Sequence, residues 1–315
     1  MADQMVSDAW WWLVETDADG FLASTPRSTA DFRDHQPPRP AQPLGERQRG
    51  DVHQVGETFT GAEGRDLIRQ YVGRGALHAQ FDFPVYWAIL EAFARSGGGM
   101  MDLENTVRAN ESVYGAFPMS PFLGNHDVTR FLSEAAGQIV GNPQDLGYNN
   151  PPPPPDDDTP YAKLRLAWTF TLTQRGVPLI YYGDEIGLPG AADPDNRRPM
   201  RFGADVNARE QSVLDHVRAL GSLRARHLGL QRGARTFLHA DGDGYAFARG
   251  SGADLALIAI NRGTTDRTVS VAVPGSLDAP DGTVLRDALS TATVTVRGGR
   301  VDVPFTARGS SVFVR

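Results

Sequence analysis

The sequence predicts an α/β fold over residues 1–230, built on a parallel sheet, followed by an all-β antiparallel sandwich over residues 231–315. Three observations carry this. Before residue 230, strand-like apolar runs alternate with helical stretches, the pattern of a parallel sheet with crossover helices. After Gly233 the helical periodicity vanishes, and short alternating or β-branched runs are punctuated by Asp-Gly and Gly-Gly pairs. The chain has 315 residues, 40% of them apolar and 9% aromatic, enough for two units with real cores.

The first part places strands at 19–24, 54–58, 80–83, 120–124 and 177–182. Between the last two, Thr159-Pro160 opens a helix with a cap residue and a proline in its first turn. Leu164, Ala167, Trp168, Thr171 and Leu172 then share one face, and Gly176 and Pro178 end it. Asn207 with Glu210 forms a capping box before a stripe of Val213, Leu214, Val217 and Leu220. Residues 36–49 are rich in Pro and Gln, and Pro151 to Pro155 form an unbroken run read as an extended, solvated surface loop. The second part reads as strands at 245–249, 254–261, 268–273, 293–296 and 311–314.

Composition excludes several classes of function. There are 31 basic and 38 acidic residues, a formal charge of −7 spread along the chain, which does not suit a nucleic-acid or anionic-membrane binder. Lys163 is the only lysine, the arginine-dominated balance expected from a GC-rich genome. The chain has no cysteine, so disulfides, thiolate metal sites and cysteine nucleophiles are ruled out. No apolar run is long enough to span a bilayer, and the opening MADQMVSDAWWW lacks the basic start and cleavage site of a leader. A cytoplasmic protein without cofactor or metal is the expectation.

Polar residues end three of the strands. Glu57 closes Val55-Gly56-Glu57-Thr58. His126 and Asp127 close Phe122-Leu123-Gly124-Asn125-His126-Asp127, and Asp184 and Glu185 follow Gly183. In βα-repeat folds ligands gather at the carboxyl ends of strands. Carboxylates converging there from two different strands suit glycosidic chemistry, in which one protonates the leaving oxygen and another stabilises a cationic sugar.

Those segments, with Gly176-Val177-Pro178-Leu179-Ile180-Tyr181-Tyr182-Gly183-Asp184-Glu185, Phe81-Asp82-Phe83-Pro84 and Asp193-Pro194-Asp195-Asn196-Arg197-Arg198, resemble in order and spacing the conserved segments of the α-amylase family, glycoside hydrolase family 13. The resemblance implies a partial (β/α)8 barrel corresponding to strands four to eight, and retaining chemistry on an α-glucan or maltooligosaccharide. It assigns Glu57 as general acid and base, Asp127 as stabiliser of the oxocarbenium-like transition state, and His126 as a ligand of the same sugar ring.

One segment departs from the family. Its nucleophile pattern, Gly-Phe-Arg-x-Asp with a basic residue shortly after, aligns with Gly20-Phe21-Leu22-Ala23-Ser24 and Arg27. Leu22 stands at the arginine position and Ser24 at that of the nucleophile, with Arg27 left as a substrate-binding candidate. A serine hydroxyl without an adjacent base is a weak nucleophile and brings no charge. Losing the arginine and the aspartate together is consistent, because either alone would be an unpaired buried charge.

Five strands cannot close an eight-stranded ring, so the sheet is expected to have open edges. Self-association or a complementary chain would cover them, unless the five strands close differently or the reading frame is a relic. Three functions follow from the sequence: an impaired glycosidase, a non-catalytic α-glucan binder, and a remnant or subunit that needs a second chain. Trp10, Trp11 and Trp12 favour the last weakly, since one helix face cannot bury three consecutive indoles.

Overall fold

The computed structural model describes residues 20–24, 53–73 and 76–315, with helical residues at 8, 11, 12, 15 and 16. Trp10, Arg27 and the 36–49 segment lie outside the described residues. Trp11 and Trp12 are both more than half exposed, and their rings meet edge to face at 4.9 Å.

Five parallel strand positions follow one another in chain order. Strand β1 (Gly20–Ser24) pairs with β2 (His53–Glu57) in the register Gly20↔His53 to Ser24↔Glu57. Strand β2 pairs with β3 (Ala79–Gln80) through Val55↔Ala79 and Gly56↔Gln80. The fourth and fifth positions are held by single bridges, Phe81↔Ser120 and Phe122↔Leu179. The sequence reads longer strands at 120–124 and 177–182. Pro121 and Pro178 each remove a backbone donor, so the ladder reduces to isolated contacts such as Val177 N–H to Met119 O and Leu179 N–H to Pro121 O, both 3.0 Å. Among the described residues the sheet does not close. Val177, Ile180 and Tyr182 on the last position remain 38–47% exposed.

From Arg235 onward the regular elements are strands joined by turns. Strands β4 (Arg235–Ala240), β5 (Gly244–Arg249), β6 (Ala256–Asn261), β11 (Gly309–Val314), β8 (Val284–Asp287) and β9 (Thr293–Thr295) form a six-stranded sheet in that spatial order. Strands β7 (Arg267–Ala272) and β10 (Arg300–Phe305) pair antiparallel as a second sheet. Leu257, Val271, Val303, Phe305 and Phe313 fill the space between the sheets. Sequence periodicity overlooks β4, β8 and β10, of which β10 carries Pro304 on a two-stranded edge where no second ladder is needed.

The helix Thr159–Thr173 joins the two regions. It begins at Thr159-Pro160 as the sequence predicts, but it is buried on nearly every side rather than along one stripe. Trp168 Nε1 donates to Asp184 O at 3.2 Å, while Phe170 packs against Phe93, Tyr245 and Phe247. A helix enclosed in one core that runs from the parallel region into the antiparallel sheet has little solvent face, and its apolar pattern loses directionality. The proline run before it is also less solvated than read. Pro152 and Pro155 are buried, and the carbonyls of Pro152 and Pro153 accept from Arg198 Nη1 (2.8 Å) and Gln138 Nε2 (2.9 Å). Later, the helix Ala208–Arg226 starts with the expected reciprocal cap, Asn207 Oδ1 accepting from Glu210 N–H at 3.1 Å and Glu210 Oε2 accepting from Asn207 N–H at 2.9 Å.

A second tie is polar. Glu104, on the helix Met100–Tyr114, has no exposed surface. It accepts from Tyr245 Oη and Arg108 Nε at 2.5 Å each and pairs with the buried Arg235 guanidinium. Removing the acid alone would strand a buried cation. Glu104→Ala is expected to lower unfolding free energy by about 3 kcal/mol or more. Replacing Glu104 and Arg235 together by methionine should recover most of that loss in chemical denaturation.

Asp82 caps the helix Phe83–Ile89, its Oδ1 accepting from Val85 N–H at 3.3 Å and from Asn110 Nδ2 at 2.6 Å. Burial raises its pKa to about 7 against the opposing pull of the Val85 N–H, Arg65 and Asn110. Because the folded state holds the proton more tightly, this stabilisation is complete below pH 4 and lost as pH rises through 7. Asp82→Asn keeps both acceptor contacts, so its unfolding free energy should be flatter than the parent's between pH 4 and 8. Parallel denaturation series across that range check this, and equal slopes would refute the assignment.

Candidate active site

Glu57 is the last residue of β2 and is only 4% exposed. Its Oε1 accepts from Asn125 Nδ2 at 2.9 Å. The other end of the same amide accepts the backbone N–H groups of Asp127 (2.8 Å) and Val128 (3.1 Å), a tight side-chain turn at the end of the neighbouring strand position. One side chain therefore links the Glu57 carboxylate to the backbone that carries Asp127. His126 Nε2 lies 3.6 Å from Asp127 Oδ1. Donor atoms of Glu57, His126 and Asp127 all fall within 4.8 Å of one another. One imidazole and two carboxylates could hold a divalent cation, and are equally the donors and acceptors that grip sugar hydroxyls.

The loop 191–198 closes one side. Arg197 Nη2 stands 3.7 Å from Asp127 Oδ1 and 3.0 Å from Asp193 Oδ2, while its Nε donates to His126 O at 3.1 Å. Asn196 Nδ2 donates to His126 O (3.0 Å) and Val128 O (2.8 Å). Beneath them Arg130, with no exposed surface, donates to Asn196 O, Tyr182 O and Asp184 Oδ1 at 2.6–2.9 Å. Burial raises the Asp184 pKa to about 6 even beside Arg130. Gly124 has to be glycine for a related reason. A Cβ there would come within 2.4 Å of Asp184 Oδ2. Asp184 thus serves the scaffold, and Glu185 stands apart from the Glu57 cluster.

Of the residues read from the sequence, Glu57, His126 and Asp127 converge. Register sets the backbone of Ser24 directly beside that of Glu57 on the adjacent strand. Arg27 lies outside the described residues. Asn125 and Arg197 were missed as site residues, although each sits inside a quoted motif. The signal for Asn125 was its place beside a histidine and an acid at a strand end, where an uncharged amide can tie a carboxylate to the backbone of the next strand position.

A parallel barrel sheet carrying a buried carboxylate and a His-Asp pair at the carboxyl ends of its strands defines a glycoside-hydrolase type of barrel. The profile of the α-amylase catalytic domain matches residues 33–226, and the chain belongs to that family. The match begins after the 20–24 strand. Among curated relatives, a β/α-amylase of Paenibacillus polymyxa is 30% identical over 268 residues, covering 84% of this chain and 20% of that protein. A cyclomaltodextrin glucanotransferase of Paenibacillus macerans is 32% identical over 236 residues, 74% of this chain and 29% of that one. An α-amylase structure from Anoxybacillus superposes with a TM-score of 0.78 at 26% identity, covering 99% of this chain and 62% of that one. The chain therefore spans well under half of these curated relatives and under two thirds of that solved structure.

If Asn125 is the common support, Asn125→Ala leaves the Asp127 and Val128 amides without their acceptor. Urea denaturation should show a loss of about 1–3 kcal/mol. An unchanged midpoint would mean that water replaces the amide freely.

Proposed function

We propose that residues 1–230 form a catalytic-type region of retaining α-glucan hydrolase or transglycosylase lineage, with residues 231–315 as its β domain, and that its turnover is impaired. The observation that carries the reading is the convergence of Glu57, His126 and Asp127 beside the strand end occupied by Ser24. Glu57 is the proton donor to the glycosidic oxygen and, in the second half-reaction, the base for water. Its placement in a nearly dry site suits a carboxyl that must carry a proton to the leaving group. Asp127 holds hydroxyls of the reacting sugar and offsets positive charge as the glycosidic bond breaks, with His126 donating to the same ring. Ser24 supplies neither charge nor a ready nucleophile, so the covalent step lacks its partner.

The preferred ligand is a maltooligosaccharide. Solved structures of AmyP hold maltose and maltotriose, and share the fold with this chain at TM-scores of 0.79 and 0.80. A second reading rests on the exposed Val177, Ile180 and Tyr182 at the open sheet edge. There the protein is a glucan-binding subunit whose edges are covered by self-association or by a complementary chain. A cytoplasmic setting is part of the proposal. Among the described residues no helix is long and apolar enough to cross a membrane.

The purified chain should hydrolyse activated maltosides at a rate close to that of its Glu57→Gln variant, while maltotriose binding by calorimetry should fall on His126→Ala. Robust turnover that vanishes in Glu57→Gln would show that another group replaces the nucleophile. Absence of both turnover and binding would reject the glucan assignment.

A further inference from the structure

The hairpin from β9 to β10 turns on Gly298 and Gly299, whose φ values are both positive, at 57° and 65°. A two-residue turn that matches the strand twist needs this left-handed pair, and glycine adopts it without steric cost. The exposed Asp281 carboxylate accepts both glycine N–H groups, at 2.8 Å and 2.9 Å, and so holds the tip. The turn fixes the register. Arg297 and Arg300 stand directly opposite each other, with Arg297 N–H donating to Arg300 O at 2.8 Å and Arg300 N–H to Arg297 O at 3.1 Å.

Like charges at opposed positions destabilise a strand pair. No carboxylate among the described residues pairs with either arginine, and the Arg297 side chain makes no hydrogen bond there. Arg300 donates from Nε to Ser270 Oγ at 3.2 Å and from Nη2 to Ser270 O at 2.7 Å, which anchors its guanidinium and leaves Nη1 uncommitted. Both arginines line an open cleft of about 410 Å³ on the outer face of β7, β9 and β10, together with Ser270, Thr293, Thr295 and Asp302. None of Glu57, His126 or Asp127 reaches it. The volume falls among small-molecule sites, which run from roughly 300 to 1,000 Å³. It is that of about a dozen liquid waters, far more than one oxyanion fills.

Asp302 shares the outer face of β10 with Arg300 and stands opposite Ser270 in the register, yet it forms no ion pair with either arginine. An arginine pair and a carboxylate thus share one cleft without neutralising each other. A bare anion would leave Asp302 facing it. A neutral sugar would leave two guanidiniums unpaired, and no aromatic ring lines the cleft to stack on a C–H face. One molecule carrying both a dianionic group and hydroxyls answers all of these groups. We propose that this cleft binds a hexose monophosphate, independently of the carboxylate site. Arg297 and Nη1 of Arg300 take the phosphate, whose charge near neutral pH is about −1.5 to −2. The Asp302 carboxylate accepts from ring hydroxyls, and the Thr293 and Thr295 hydroxyls bond the remaining oxygens.

D-glucose 6-phosphate is the probe, titrated by calorimetry against the full chain at low salt and near neutral pH, with inorganic phosphate as the comparison. Binding should be saturable and about tenfold or more tighter than that of inorganic phosphate. Arg297→Gln should weaken it about tenfold or more, a loss matching one charge-assisted hydrogen bond. That variant removes a like-charge pair and no internal contact, so its melting temperature should equal or exceed the parent's. Asp302→Asn should narrow the preference for the sugar phosphate, because it removes the hydroxyl acceptor and the repulsion of a bare anion together. His126→Ala should leave all of these values unchanged. The proposal is overturned by absence of saturable binding, by equal affinity for inorganic phosphate, or by an affinity that Arg297→Gln leaves intact. An unaltered preference in Asp302→Asn, or binding lost in His126→Ala, overturns it equally.

Discussion

The guanidinium of Arg130 reaches no solvent, and two separate segments end on it. Its Nη1 takes the carbonyl of Tyr182 and the carboxylate of Asp184, its Nε takes the carbonyl of Asn196, and its face lies 4.3 Å from the Tyr181 ring. A buried cation is costly unless such acceptors surround it, so the loop after the fourth strand position, the last strand and the 191–198 loop are held in one arrangement or lose that compensation together. Asn196 then passes the constraint upward to the carbonyls of His126 and Val128. The catalytic-type side chains are precise because the charge beneath them tolerates few alternatives.

What stands above that base is a buried carboxylate beside a His-Asp pair. Asn125 ties the Glu57 carboxylate to the backbone of Asp127 and Val128. Pairing across β1 and β2 is a backbone matter and is indifferent to the side chain at 24.

Much of this was legible in the sequence where local chemistry decides the outcome. Asn207 with Glu210 announces its helix because a cap is satisfied within four residues, and Pro160 announces another because its fixed φ suits a first turn. The strand ends bearing Glu57, His126 and Asp127 were legible from motif order, and their convergence follows from the parallel register. Other features were hidden because they depend on distant partners. Pro121 and Pro178 shorten two strands to single bridges, which apolar composition does not reveal. The stripe on Thr159–Thr173 predicted one buried face, while packing against Tyr245 and Phe247 in the same core buries more of it. Asn125 went unnoticed since a neutral amide carries no titration signature, yet it touches Glu57 and the backbone of Asp127 and Val128.

That helix has a further meaning. Thr169 Oγ1 meets Ser310 Oγ at 2.8 Å, and Thr173 O accepts from the buried Arg249 at 2.5 Å, so its polar as well as its apolar surface is already committed to the antiparallel region. The change of composition near residue 230 marks where one style of secondary structure gives way to another. It does not mark a seam along which the protein could be cut and recombined. A β region inherited without this helix would carry Tyr245, Phe247, Ile258 and Ile260 as bare surface. In evolutionary terms the transferable module is the sheet with its helix, and the two regions should have travelled through descent as a pair.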